Sequence, residues 1–151
     1  MGDPEPADRV VSATSTIAAP AAEIFELIAD PSQQPRWDGN DNLSASNSPR
    51  VRRNGEVFVM NITKGTERDN HVVEFEEGRR IAWRPADPGQ PPAGHLWRWE
   101  LDPIDDRHTT VTHTYDWTEL TDQRRLPRAG QTSSNWLAVS LERLAGLVEG
   151  G

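Results

Sequence analysis

The sequence predicts an α+β fold in which a curved antiparallel β-sheet wraps around one long C-terminal α-helix. Three patterns support this prediction. Residues 11–39 have the pattern of a strand followed by two short helices, strand-like runs fill the chain from residue 55, and an apolar helical stripe ends it. A sheet with one apolar face needs a helix or a second sheet packed on that face, and this chain offers one long helix.

The opening segment predicts a strand over residues 9–17 and a helix that begins near Pro20. Proline suits the first helical turn, because its missing N–H would have no partner there. Asp30 precedes Pro31, and a residue before proline is disfavoured in helical conformation, so the helix is expected to end there. A second short helix should then carry Trp37, which we interpret as a packing residue.

The middle of the chain has the pattern of consecutive antiparallel strands. Five runs of about 8–12 residues are separated by Gly, Pro or Asp turns. Glu77 and Gly78 predict a tight hairpin, and residues 87–94 predict a longer, proline-rich loop. Residues 40–53 are polar and irregular, with one weak strand expected around 43–46.

The last element is predicted to be a helix. Thr132, Ser133 or Ser134 can cap its N-terminus, and residues 150–151, both glycine, are expected to end it. Its apolar residues recur at helical spacing and form one stripe, which consists of Leu137, Leu141, Leu144 and Val148.

Composition fits one small domain over residues 9–151, preceded by a short, charged and disordered lead over residues 1–8. The chain has no cysteine, which excludes disulfides, thiolate nucleophiles and zinc sites that use sulfur. A net charge of −8 argues against nucleic-acid binding. No apolar run approaches the length of a membrane span, so we expect no membrane insertion and a cytoplasmic location.

With this order of elements the chain resembles the START-like (SRPBCC) superfamily, which includes the polyketide cyclase/dehydrase and lipid-transport family and has the Bet v 1-like helix-grip fold. The segments that carry the resemblance are VSATSTIAAPAAEIFELIADPSQQPRWDG, EFEEGRRIAWRP, and THTYDWTEL together with SLERLAGLVEG. The resemblance implies a helix-grip fold with a cavity between sheet and helix that takes lipids, polyketides or related apolar molecules. None of these segments is a catalytic motif.

Strand alternation assigns the side chains that should face this cavity. His71, Val73 and Phe75 are predicted to point inward from one strand. The interior of the other strands should be mostly aromatic and aliphatic. The candidate ligand-binding residues are Phe58, Met60, Phe75, Trp83, Trp97, Trp99, His113, Tyr115, Trp117, Trp136 and Leu137.

The candidate catalytic residues are His113, Tyr115 and His71. His113 and Tyr115 share one face about 7 Å apart along their strand, so a histidine base and a tyrosine donor could act on one carbonyl. The histidines lack metal-binding spacing, and no phosphate- or dinucleotide-binding motif occurs. We therefore expect neither metal nor cofactor.

Three functions stay open. The chain could bind a small apolar ligand as a monomer or homodimer, it could be a polyketide cyclase or dehydratase, or it could be a non-catalytic accessory protein whose cavity is filled by its tryptophans. An open cavity lined by His113 and Tyr115 would favour catalysis, and an open but purely apolar one would favour carriage. A cavity filled by Trp83, Trp97, Trp99 and Trp117 would exclude both.

Overall fold

The computed structural model describes residues 9–39 and 43–149, so the predictions for residues 1–8, 40–42 and 150–151 lie outside it. Seven strands form one antiparallel sheet in the order β1-β7-β6-β5-β4-β3-β2. The strands are β1 Val10–Ile17, β2 Leu43–Ala45, β3 Val57–Ile62, β4 Glu67–Glu76, β5 Arg80–Ala86, β6 Leu96–Asp105 and β7 His108–Asp116. The predicted strands of this curved sheet are confirmed, including the weak β2.

The opening helices form at the predicted places. Helix α1 spans Ala21–Ala29, and Pro20 caps it in extended conformation rather than entering its first turn. A 3₁₀ helix, Pro31–Arg36, follows at once. The carboxylate of Asp30 accepts a hydrogen bond from the N–H of Ser32 at 3.0 Å, which turns the chain at the predicted break.

Helix α3 spans Ser134–Val148 and packs against β1 and β7. Ser133, one of the three predicted caps, precedes it. Three of the four residues of the predicted apolar stripe are buried, and Val148 is half-buried. Burying one such leucine contributes about 1.5–3 kcal/mol. The stripe therefore attaches the helix to the sheet.

The sequence did not predict the short helix α2, Leu126–Gln131. Its six residues include Pro127 and Gly130 and are too few to show a helical period. This helix matters for the site, because it lies next to the open part of the concave face.

Two apolar clusters pack the concave side of the sheet. The first joins α1, the sheet and the C-terminal part of α3, and it includes Phe25, Trp99, Leu141 and Leu144. The second lies near the start of α3 and consists of Tyr115, Trp117, Leu120, Ala129 and Leu137.

A β-bulge in β4 makes two of the predicted inward side chains wrong. Val72 pairs with Trp83 and Glu74 pairs with Ala82, so Val73 is one extra residue in the strand. The extra residue reverses the alternation on its N-terminal side. His71 therefore lies on the outer face beside its partner Arg84, and Val73 is 36% exposed. Val72 is buried inward instead.

Phe75 lies beyond the bulge and keeps its predicted inward direction. Its ring packs edge-on against Phe25, with ring centroids 5.7 Å apart. Two candidate binding residues of β3, Phe58 and Met60, are buried, and Ile62, the next residue on the same face of this strand, is half-buried.

Gly94 holds the loop before β6 against the segment after β7. Its φ is +119°, and a Cβ at this position would lie 2.4 Å from the carbonyl oxygen of Glu119. We expect Gly94→Ala to lower the free energy of unfolding by more than the roughly 1–2 kcal/mol of a left-handed residue, because a backbone clash is added.

Gly89→Ala is the matched control for this measurement by urea denaturation. Gly89 also has a positive φ, of +75°, but no atom lies within 4 Å of the added Cβ. Equal losses in the two variants would contradict close packing at Gly94.

Candidate functional site

A cavity of about 480 Å³ lies on the concave side of the sheet. Its floor is formed by β3 to β7, and its other walls by the 3₁₀ helix and by the segment from Leu120 to Trp136. The exposed lining residues Lys64, Thr66, Arg124 and Trp136 place the mouth at the solvent side of these elements. The apolar and aromatic lining comprises Trp37, Leu43, Met60, Ile62, Trp83, Pro85, Trp97, Trp99, Tyr115, Leu120, Ala129 and Trp136.

Cross-strand pairing brings the aromatic residues of the floor together. Trp83 of β5 pairs with Trp97 of β6, which pairs with Tyr115 of β7. The ring centroids of Trp97 and Tyr115 are 4.3 Å apart. Trp99 pairs with His113, and their rings stack at 3.7 Å with an interplanar angle of 11°. Three neighbouring strands thus present a continuous aromatic wall to the cavity.

Seven of the eleven candidate binding residues line the cavity: Met60, Trp83, Trp97, Trp99, His113, Tyr115 and Trp136. Their part in ligand binding stays a prediction. His71 does not line it, because the bulge turns His71 to the outer face.

The other four candidates lie in the packed clusters. Phe58 packs edge-on against Trp83 at 5.3 Å, and Phe75 contacts Phe25 as described. Trp117 and Leu137 belong to the second cluster. Strand alternation assigned Phe58, Phe75 and Trp117 to the concave side of the sheet, where they lie. It could not separate the packed part of that side from the part that borders the cavity.

Sequence reasoning missed the polar lining. Asn70 turns inward through the bulge, Asp87 is the first residue of the proline-rich loop, and His95 follows that loop. No residue type in the sequence indicates the bulge. Polar residues beside a loop rich in proline and glycine weakly indicate the rim of a cavity. Trp37 has two roles. It lines the cavity, with its ring centroid 5.1 Å from that of Trp99, and its indole N–H donates a hydrogen bond to the carbonyl oxygen of Leu27 at 2.7 Å.

Ion pairs fix the rim of the cavity. Arg125 donates to the carboxylate of Asp87 at 2.8 Å, and Arg68 lies 3.5 Å from it. Arg125 also lies 3.4 Å from Asp122. The Arg125 hydrogen bond holds the pKa of Asp87 below its ordinary value. These contacts connect β4, the loop after β5 and the start of α2. Because partly exposed ion pairs contribute little to the free energy of unfolding, their main effect is to orient this wall of the cavity.

His113 is held as a neutral imidazole. Burial lowers the pKa of His113 to about 3, although a hydrogen bond to the backbone of Leu137 opposes the shift. Its Nδ1 is buried and has no hydrogen-bond partner among the described residues. A group with so low a pKa is a weak base at neutral pH.

Within residues 9–39 and 43–149, no three His, Asp or Glu side chains converge as metal ligands. The described part of the chain also contains no helix that is long and apolar enough to cross a membrane.

The depressed pKa of His113 predicts a pH-dependent stability. The unfolded chain binds the proton near pH 6.5 and the folded chain only near pH 3, so the free energy of unfolding falls as the pH drops below 6.5. Between pH 7 and 5 we expect wild type to lose about 2 kcal/mol more than His113→Phe, which keeps a ring in the stack. Urea denaturation at both pH values measures the difference.

The imidazole signals of His113 in NMR spectra give a second readout that needs no variant. They should stay constant from pH 8 to 5. A titration near pH 6.5, or equal pH dependence in the two proteins, would contradict the buried neutral state.

Residues 8–149 match the family described as polyketide cyclase/dehydrase and lipid transport. An uncharacterized protein of Mycobacterium tuberculosis, MT0096, is 32% identical over 119 residues, which are 71% of this chain and 47% of that protein. The chain therefore spans about half the length of the curated relatives it matches.

Solved structures share the fold. A solution NMR structure from Thermobifida fusca is 26% identical with a TM-score of 0.65, covering 91% of both chains. DynU16, from the dynemicin biosynthetic locus, is 23% identical with a TM-score of 0.67, covering 95% of this chain and 48% of that one. The sheet, the C-terminal helix and these matches together confirm the helix-grip fold, and the chain belongs to the polyketide cyclase/dehydrase and lipid-transport family.

Proposed function

We propose that this protein binds a small, mostly apolar molecule in the cavity between the concave face of the sheet and the start of α3. The observation that carries the proposal is the open volume of about 480 Å³. Ligand pockets commonly measure about 300–1,000 Å³, with mostly apolar walls and a few polar groups. The family description, which includes lipid transport, supports the same reading.

The open volume also argues against the accessory protein with a filled cavity. Trp83, Trp97 and Trp99 line the space instead of occupying it, and Trp117 packs in the second cluster. Their rings lie against neighbouring rings along the wall. Of the three, Trp97 is half-buried and keeps accessible ring area for a ligand, whereas Trp83 and Trp99 are 6% and 0% exposed.

The rim is compatible with neutral or anionic ligands. Four cationic and three acidic side chains line the cavity, although the whole chain carries a net charge of −8. The mouth is thus less acidic than the rest of the surface. Trp136, which is 40% exposed, adds apolar area at the entrance.

Acid–base catalysis is the second candidate, and the lining of one cavity by both His113 and Tyr115 favours it. The low pKa of His113 argues against the base that this mechanism needs. We therefore favour ligand carriage over acid–base catalysis.

A test of catalysis uses a small molecule that co-purifies with the protein. If the wild-type protein converts this molecule to a product, mass spectrometry should show that Tyr115→Phe no longer forms the product.

The cytoplasmic location and the choice between monomer and homodimer stay predictions from the sequence.

A pair of variants on β3 tests ligand binding with 1-anilinonaphthalene-8-sulfonate as the fluorescent probe. Ile62→Trp adds a large side chain to the cavity wall, so we expect the affinity for the probe to fall at least tenfold. Val57→Trp adds the same side chain to the outer face of the same strand, where Val57 is 49% exposed, and should change the affinity less than twofold.

Circular dichroism and urea denaturation should show that both variants fold. Equal affinity in the two variants would place the probe outside the cavity. Failure of the wild-type protein to bind any apolar probe would count against the proposed function.

A further inference from the structure

The β-bulge in β4 decides which charged groups this strand presents to the cavity. Unbroken alternation from the C-terminal end of β4 would turn the carboxylates of Glu67 and Asp69 to the concave side. The extra residue Val73 reverses the alternation, so Arg68 and Asn70 point to that side instead. The bulge thus replaces two negative charges at this wall with one guanidinium and one neutral carboxamide.

The strand partners and the cavity lining agree with this direction. Arg68 pairs with Met60 and Asn70 pairs with Phe58, and both partners are buried on the concave side. Arg68 and Asn70 line the cavity. Asp69, which lies between them, is not part of the lining, and its carboxylate accepts a hydrogen bond from the loop after β5 at 3.1 Å.

Arg68 keeps hydrogen-bond donors for a ligand. Its side chain is 31% exposed, and its Nη1 donates to the carbonyl oxygen of Glu67 at 2.9 Å and lies 3.5 Å from the carboxylate of Asp87. Asp87 has a closer partner, because Arg125 donates to it at 2.8 Å. Nε and Nη2 of Arg68 form no hydrogen bond with a described residue, and neither atom is buried. These two N–H sites are available to a further acceptor.

Other cationic side chains stand around the same rim. Lys64 and Arg124 are exposed lining residues, and Arg124 lies 3.5 Å from Asp122 with 87% of its side chain exposed. The ionisable side chains of the lining include more cations than acids, in a chain whose net charge is −8. An anionic group is therefore attracted to this rim rather than to the acidic remainder of the surface.

A carboxylate matches the donors on β4. The planar guanidinium of arginine offers parallel N–H groups that fit the two oxygens of a carboxylate. The carboxamide of Asn70 adds an N–H donor on the same face of the strand. The half-buried Trp97 offers ring area to an apolar body on the same concave side.

We propose that the cavity selects apolar molecules that carry a carboxylate, which accepts hydrogen bonds from the guanidinium of Arg68 and the carboxamide of Asn70. The apolar body of the ligand then lies along the aromatic wall. This inference rests on the proposed ligand-binding function and adds the charged group of the ligand. Arg68 and Asn70 are the specificity-determining residues, and the bulge at Val73 places them.

Two probes of nearly identical shape test the selection by equilibrium dialysis at neutral pH. The first, 2-naphthylacetate, carries the carboxylate, and the second, 2-naphthylacetamide, carries a neutral amide in its place. The wild-type protein should bind the acetate about three- to tenfold more tightly at low ionic strength. Added sodium chloride at about 0.5 M should reduce this advantage, because salt screens partly exposed charges.

Variants assign the advantage to its residues. Arg68→Gln should bring the two affinities to within about twofold of each other, and Arg68→Lys, which keeps the charge but loses the planar donor pair, should give an intermediate ratio. Asn70→Leu should weaken binding of the acetate about two- to fivefold. Arg53→Gln is the matched control, because it removes the same charge from an 83% exposed side chain outside the lining, and should leave the ratio unchanged.

The outcomes separate the two proposals, provided that circular dichroism shows the variants to be folded. If both probes bind the wild-type protein equally, carboxylate selection is wrong and apolar binding stands. An advantage of the acetate that persists in Arg68→Gln, or that Arg53→Gln reduces as much, also overturns the selection. If neither probe binds, the proposed function itself fails.

Discussion

The stack of His113 on Trp99 is the contact on which the site depends, and burial in this stack keeps the imidazole of His113 neutral. Trp99 belongs to the first apolar cluster, while Tyr115, two residues along β7 from His113, belongs to the second. The stack therefore lies where the packed part of the concave face meets the open part.

The open volume follows from how the walls around this contact are held. Leu141 and Leu144 of α3 pack into the first cluster and Leu137 packs into the second, so that within α3 only Trp136, near its start, is part of the cavity lining. Opposite, the 3₁₀ helix and the segment around α2 are held by polar contacts. Gly39 donates to the hydroxyl of Ser140 at 2.8 Å, and Arg125 binds Asp87. Such hydrogen bonds and ion pairs hold these two walls in place. They do so without apolar side chains filling the cavity between the walls.

Most of the fold could be predicted because it depends on local chemistry that the sequence displays. Proline and aspartate mark the break after α1, glycine marks the hairpin at Gly78, and leucines at helical spacing mark α3. Alternation likewise gave the inward direction of His113 and Tyr115. These signals act over a few residues, so one sequence is enough to recognise them.

The site was less predictable because it depends on tertiary arrangement. The bulge at Val73 moved His71 out of the interior and Asn70 into it, and no residue type announces it. Helix α2 is too short to show a period. Above all, whether Trp117 fills the cavity or packs beside it is decided by where β7 ends, at Asp116, and by the cluster around Leu137.

The most direct test of a ligand site at this wall is the set of indole N–H signals in a two-dimensional ¹⁵N NMR spectrum. All six tryptophans report separately, and titration with 1-anilinonaphthalene-8-sulfonate should perturb the five that line the cavity much more than Trp117. Unchanged signals from Trp83, Trp97 and Trp99 at saturating probe would contradict the account.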